Sequence, residues 1–92
     1  MKDNQYFEEV RMLSTDDIEK RIKEALPGSN VTAHDLTGTS DHFRVQVVAE
    51  QFEGQSAIQR HRMIYDTLSD VMGGAIHALS LSTTTPNEMN QA

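Results

Sequence analysis

The sequence predicts an α+β domain of order αββααβα, with a small three-stranded mixed sheet and helices packed on one face. Three observations predict it. A capped, amphipathic segment near 15–26 stops at Pro27-Gly28. Two strand-like segments, Val31–Leu36 and His42–Glu50, are separated only by the turn Thr37–Asp41. A helical stretch over 56–72 then intervenes before a third strand, Ala75–Thr83, and such a crossover permits parallel pairing.

Each element has a local reason. Ser14 is a good N-cap and Asp17, three residues on, completes a capping-box pattern, with Leu13 and Ile18 placed as a hydrophobic staple. Ile18, Ile22, Ala25 and Leu26 form one apolar stripe, and Asp16, Asp17 and Glu19 suit the positive end of the helix dipole. In the second strand Phe43, Val45 and Val47 alternate with His42, Arg44 and Gln46, so one face is apolar and the other polar. Phe52-Glu53-Gly54 breaks that strand. Over 56–72, Ile58, His61, Ile64 or Tyr65, Leu68, Val71 and Met72 recur at helical period, as one helix or as a short helix, a turn and a longer one. Gly73-Gly74 stops it. In the third strand His77, Leu79 and Leu81 share one face and Ile76, Ala78 and Ser80 the other. Thr85-Pro86-Asn87-Glu88 opens a short last helix: Thr85 caps, Pro86 fits the first position and Glu88 closes the box.

Ninety-two residues suffice for one domain, read here as an arm over 1–12 and a globular unit over 13–92. The arm mixes charges with Tyr6, Phe7, Val10 and Met12 and is expected to be flexible or to dock on a surface that the sequence does not specify. Eight basic residues against fourteen acidic ones give a net charge of −6, which argues against a surface built mainly to neutralise phosphates. With no cysteine there is no disulfide, no thiolate metal ligand and no Cys nucleophile. The longest apolar run, Val47–Ala49, is far too short to cross a membrane, and MKDNQYFEEV lacks the apolar core of a secretory signal, so the expected setting is cytoplasmic.

No nucleophile elbow, phosphate-binding loop, dinucleotide fingerprint or zinc-protease motif is present, so no enzymatic reading finds support. The acidic pairs Glu8-Glu9 and Asp16-Asp17 sit on the arm and at a helix start, where solvation and the dipole explain them. The four histidines fit no zinc-finger spacing. His61, on the apolar stripe, reads as a core residue with one hydrogen-bonded nitrogen. His77 lies at a strand start, where a side chain packs in part and still reaches the surface. His34 and His42 flank the hairpin turn. Arg60-His61-Arg62 is a local basic spot in an acidic chain, able to grip a phosphate or an acidic partner.

Taken in order, His42-Phe43-Arg44-Val45, Phe52-Glu53-Gly54, Gln59-Arg60-His61-Arg62-Met63-Ile64-Tyr65, Ile76-His77-Ala78-Leu79 and Thr85-Pro86-Asn87-Glu88 strongly resemble the BolA family over about 13–89. The resemblance implies a class II KH-like αββααβα fold. It further implies a non-enzymatic adaptor that pairs with a monothiol glutaredoxin to hold a [2Fe–2S] cluster, in iron–sulfur trafficking and iron homeostasis. In that arrangement glutaredoxin and glutathione supply thiolates, and the BolA-like chain supplies a histidine near the start of its last strand, which maps to His77. A second ligand, Cys or His, often comes from the hairpin loop. Here 35–41 holds neither, and His42 at its edge and His34 on the opposite strand are the only local imidazoles. No cluster is expected on the chain alone, which is read as a monomer with a weak homodimer as the alternative. Some members are described as DNA-binding regulators of stress response and cell shape. This is the alternative function, for which Arg60, His61 and Arg62 are the candidate contacts. Met89 stands where many members carry Trp, implying a weaker anchor for the last helix, and the arm has no counterpart.

A neutral imidazole in place of a thiolate lowers the negative charge of such a site and makes ligation sensitive to pH. A shared His–thiolate site is expected to be more labile than one with four cysteines, which suits transfer.

Overall fold

A computed structural model describes residues 13–90. The first helix, α1 (Thr15–Ala25), starts where the local chemistry puts it. Ser14 Oγ accepts from the Asp17 N–H and the Asp17 carboxylate accepts from the Ser14 N–H. Ile18 and Ile22, one turn apart, are wholly buried. Gly28, at φ +84°, adopts the left-handed conformation that turns the chain from α1 into the sheet.

Strand β1 (Asn30–Asp35) runs antiparallel to β2 (His42–Val48), with Val31 opposite Val47 and Ala33 opposite Val45. Strand β3 (Ala78–Thr84) lies parallel on the other side of β2, with Phe43 opposite Leu79 and Val45 opposite Leu81. The order β1-β2-β3 makes the sheet mixed, with β2 central. Val31, Ala33, Phe43, Val45 and Val47 are buried beneath the helices, while Thr32, Arg44, Gln46, Ser80 and Ser82 are exposed on the other face. The Glu19 carboxylate accepts from the Ala33 N–H, so α1 covers part of the β1 edge.

The crossover departs from the expected helix over 56–72. A 3₁₀ turn (Glu50–Phe52) comes first, with Phe52 buried, and α2 (Ala57–Thr67) follows behind a Ser56–Gln59 capping box. Residues 68–72 form turns, with the amides of Val71 and Met72 both donating to the Leu68 carbonyl. The expected stripe holds in its middle and fails at its start. Ile64 and Leu68 are buried, whereas Ile58 is 66 % exposed and His61 half-buried, not a core residue. Arg60 takes the inward place at the start of α2, its guanidinium lying 5.8 Å from the centroid of the Phe52 ring.

β2 ends at Val48, short of the expected Glu50: the Ala49 N–H makes a last bond to the Thr84 carbonyl and the chain then turns into the 3₁₀ segment at Glu50. β3 begins at Ala78 rather than Ala75. Ile76 drops into the core beside Met72, which breaks the expected alternation and leaves His77 exposed. The last helix, α3 (Pro86–Asn90), has the expected box between Thr85 and Glu88, and Met89 is 52 % exposed. The arm over 1–12 lies outside the described residues.

Candidate functional site

Parallel pairing places the starts of β2 and β3 side by side. His42 is opposite Ala78, so His77 comes next to His42 although 34 residues of chain lie between them. The ring centroids are 6.2 Å apart and the planes tilt by 37°. Both rings are accessible, with side-chain exposures of 43 % for His42 and 57 % for His77.

Asp41 joins the two strand starts. Its main-chain carbonyl accepts the N–H groups of both His77 and Ala78, at 2.8 and 3.2 Å. Its carboxylate Oδ1 is 2.9 Å from His42 Nδ1 and accepts from the Thr39 hydroxyl, while Oδ2 stands 3.8 Å from His77 Nδ1. The last separation is an electrostatic contact, not a hydrogen bond. The Thr39 hydroxyl first, and His42 second, hold the Asp41 carboxyl down at about 2. The turn is fastened by Asp35, which accepts from the N–H groups of Gly38 and Ser40, with Ser40 in the left-handed region at φ 62°.

His34 is exposed on β1, opposite Arg44 and on the open sheet face. Of the sequence-predicted imidazoles, the structure therefore brings His77 and His42 together and leaves His34 beside an arginine. No group of three or more His, Asp or Glu among the described residues is arranged to hold a metal ion by itself. The donor set that exists, two adjacent exposed imidazoles backed by a carboxylate, fits a coordination sphere completed from outside. The sequence places Asp41 only at the end of the hairpin turn and gives it no role at the site. Its position directly before His42 is a local hint, but its relation to His77 depends on pairing that no local pattern shows.

Arg60, His61 and Arg62 do not form one basic surface, because successive helical residues point about 100° apart. The Arg60 side chain is only 12 % exposed. Its Nε donates to the Gln55 carbonyl, one Nη to the Thr83 carbonyl and to Glu88, and the other Nη to Glu88 as well. The fold thus uses the Arg60 guanidinium internally. Arg62 is exposed. The Arg60 fork, followed by the Thr85 N–H, pulls the Glu88 carboxyl down to about 2.

No helix among the described residues is long and apolar enough to cross a membrane.

Comparison with known proteins bears on this geometry. A family model described as BolA-like protein matches residues 19–88. BolA-like protein 1 of Mus musculus is 43 % identical over 54 residues, covering 59 % of this chain and 39 % of that one. A relative named DNA-binding transcriptional regulator BolA, from Escherichia coli, is 43 % identical over 51 residues, 55 % of this chain and 49 % of its own length. The matched regions therefore span about two fifths to one half of these curated relatives. Among solved structures, a BolA homologue from Coxiella burnetii superposes with a TM-score of 0.73 at 41 % identity, over 86 % of this chain and 99 % of that one.

Proposed function

The chain belongs to the BolA-like family, and from that premise we propose that it is a non-enzymatic adaptor pairing with a monothiol glutaredoxin to hold and pass on a [2Fe–2S] cluster. One observation carries this reading. His77, at the mapped ligand position, stands exposed beside a second imidazole, in a chain that has no sulfur nucleophile or thiolate of its own. The chain offers neutral nitrogen donors, and the sulfurs come from glutaredoxin and glutathione. Its own part is to present His77 at a strand start fixed by the Asp41 carbonyl. The cluster is cargo, held between the two proteins and absent from the chain alone.

The test combines the chain with a monothiol glutaredoxin, iron and glutathione, and records visible absorption and circular dichroism. A heterodimer spectrum distinct from that of glutaredoxin alone is expected, and His77→Ala is expected to alter it. An unchanged spectrum overturns the ligand assignment, and no association overturns the pairing.

The name of the Escherichia coli relative favours a second reading, a nucleic-acid-binding regulator. With Arg60 engaged inside the fold, Arg62 is the member of the basic spot left facing solvent, and the net charge of −6 opposes phosphate binding. This reading requires affinity for duplex DNA that falls steeply with salt and drops on Arg62→Ala. Absent or salt-insensitive binding removes it.

A further inference from the structure

We propose that Asp41 is a positioning residue that makes His42 the second imidazole donor of this chain, by holding the His42 ring with its Nε2 free beside His77. The use of such a donor rests on the cluster-sharing reading above; its geometry belongs to the chain alone.

An ionised carboxylate can only accept hydrogen bonds. Asp41 Oδ1 takes the Thr39 hydroxyl and meets His42 Nδ1 at 2.9 Å. The neutral His42 ring therefore carries its proton on Nδ1, which leaves the Nε2 lone pair open. A carboxylate behind a histidine is the arrangement that fixes tautomer and ring orientation in metal sites, and it also raises the basicity of the donor nitrogen.

The same residue is tied to the other imidazole. Its carbonyl holds the main chain at His77 and Ala78, and its second carboxylate oxygen faces His77 Nδ1 at 3.8 Å. Both rings thus turn Nδ1 towards one anion. His34 stands instead opposite Arg44, whose positive charge opposes a metal cation. Two imidazoles without sulfur suit a borderline ion such as Zn²⁺, which makes Zn²⁺ alone a usable probe.

The experiment is performed on the full chain without glutaredoxin. Long-range ¹⁵N–¹H correlations at about pH 8, above the ordinary range of imidazole titration, report the tautomer of each histidine. His42 is expected as the Nδ1–H form in the parent, and that preference is expected to be lost in Asp41→Ala. On addition of Zn²⁺, the His42 and His77 ring signals are expected to shift together. Asp41→Ala is expected to weaken this response about tenfold or more, and His34→Ala to leave it unchanged. An Nε2–H tautomer at His42 in the parent overturns the proposal without recourse to any variant. So does a Zn²⁺ response centred on His34, or one indifferent to Asp41→Ala in a protein whose amide spectrum shows it folded. Because no readout involves glutaredoxin, failure here leaves the pairing with glutaredoxin standing with another second donor. Failure of that pairing in turn leaves the Asp41–His42 relation intact.

Discussion

Arg60 and Glu88, 28 positions apart, are joined by a two-pronged ion pair with contacts of 2.8 and 2.9 Å. The pair ties the start of α2 to α3, a helix of five residues too short to persist alone. The guanidinium also reaches the Thr83 carbonyl and covers the Phe52 ring. Arg60→Ala removes the fork, the carbonyl contact and the guanidinium over the Phe52 ring together. The expected cost is about 1–3 kcal/mol, read as a lower urea midpoint. Arg60→Lys is expected to recover only part, because an ammonium cannot make the fork. Wild-type stability in Arg60→Ala contradicts this account.

The pH dependence follows from Glu88 and Asp41, both held at about 2. Their folded values lie below the ordinary carboxylate values of 4.5 and 3.8, so the native state favours the ionised forms. That contribution is complete above the ordinary values and is lost as pH falls towards about 2. Urea midpoints measured from neutral pH downwards should be flat at first and then decline through this interval. Glu88→Gln should lower the neutral plateau and make the decline shallower. A midpoint that rises on acidification contradicts the sign.

Which parts of this were legible in the sequence follows from how far apart the partners lie. The boxes Ser14–Asp17 and Thr85–Glu88 are contacts over three residues, and both were readable. The alternation of Phe43, Val45 and Val47 likewise placed the buried face of β2. The Arg60 fork was not readable, because an arginine next to another arginine looks like a basic patch until a distant glutamate meets it. The expected stripe holds at Ile64 and Leu68 but not at its start, where Arg60, one turn before Ile64, takes the inward place that helical spacing had offered to His61. At the candidate site, His77 was found through family resemblance. Asp41 was missed because its significance arises only once β3 pairs in parallel with β2 and brings His77 to its carbonyl.

Phe52 closes the core below Arg60 and is wholly buried in a 3₁₀ turn of three residues. Phe52→Ala removes an aromatic ring from a site that the turn and the start of α2 cannot readily collapse to fill. The expected loss is about 3–5 kcal/mol in equilibrium urea unfolding. Phe52→Leu should keep most of the buried volume and cost less. Equal losses for the two would show that the ring volume is not what matters.

His61 is half-buried on α2, so His61→Ala is expected to cost less than about 1 kcal/mol in the same assay. A loss well above this would return His61 to the core role that its helical spacing suggested. Near-native stability with impaired association to a partner would mark it as a contact.

His77→Ala should separate function from folding. The side chain is 57 % exposed, and the hydrogen bond that fixes this residue comes from its main-chain N–H to the Asp41 carbonyl, which alanine retains. Stability is therefore expected to stay within about 0.5 kcal/mol of the parent, and the amide spectrum to change only around the starts of β2 and β3. The same variant should still associate with a monothiol glutaredoxin while its cluster spectrum changes, because what it lacks is a donor nitrogen and not a folded surface. If His77→Ala unfolds the chain, the exposed ring has a structural task that the geometry does not account for. If the variant is stable and its heterodimer spectrum is that of the parent, the coordinating nitrogen belongs to another residue.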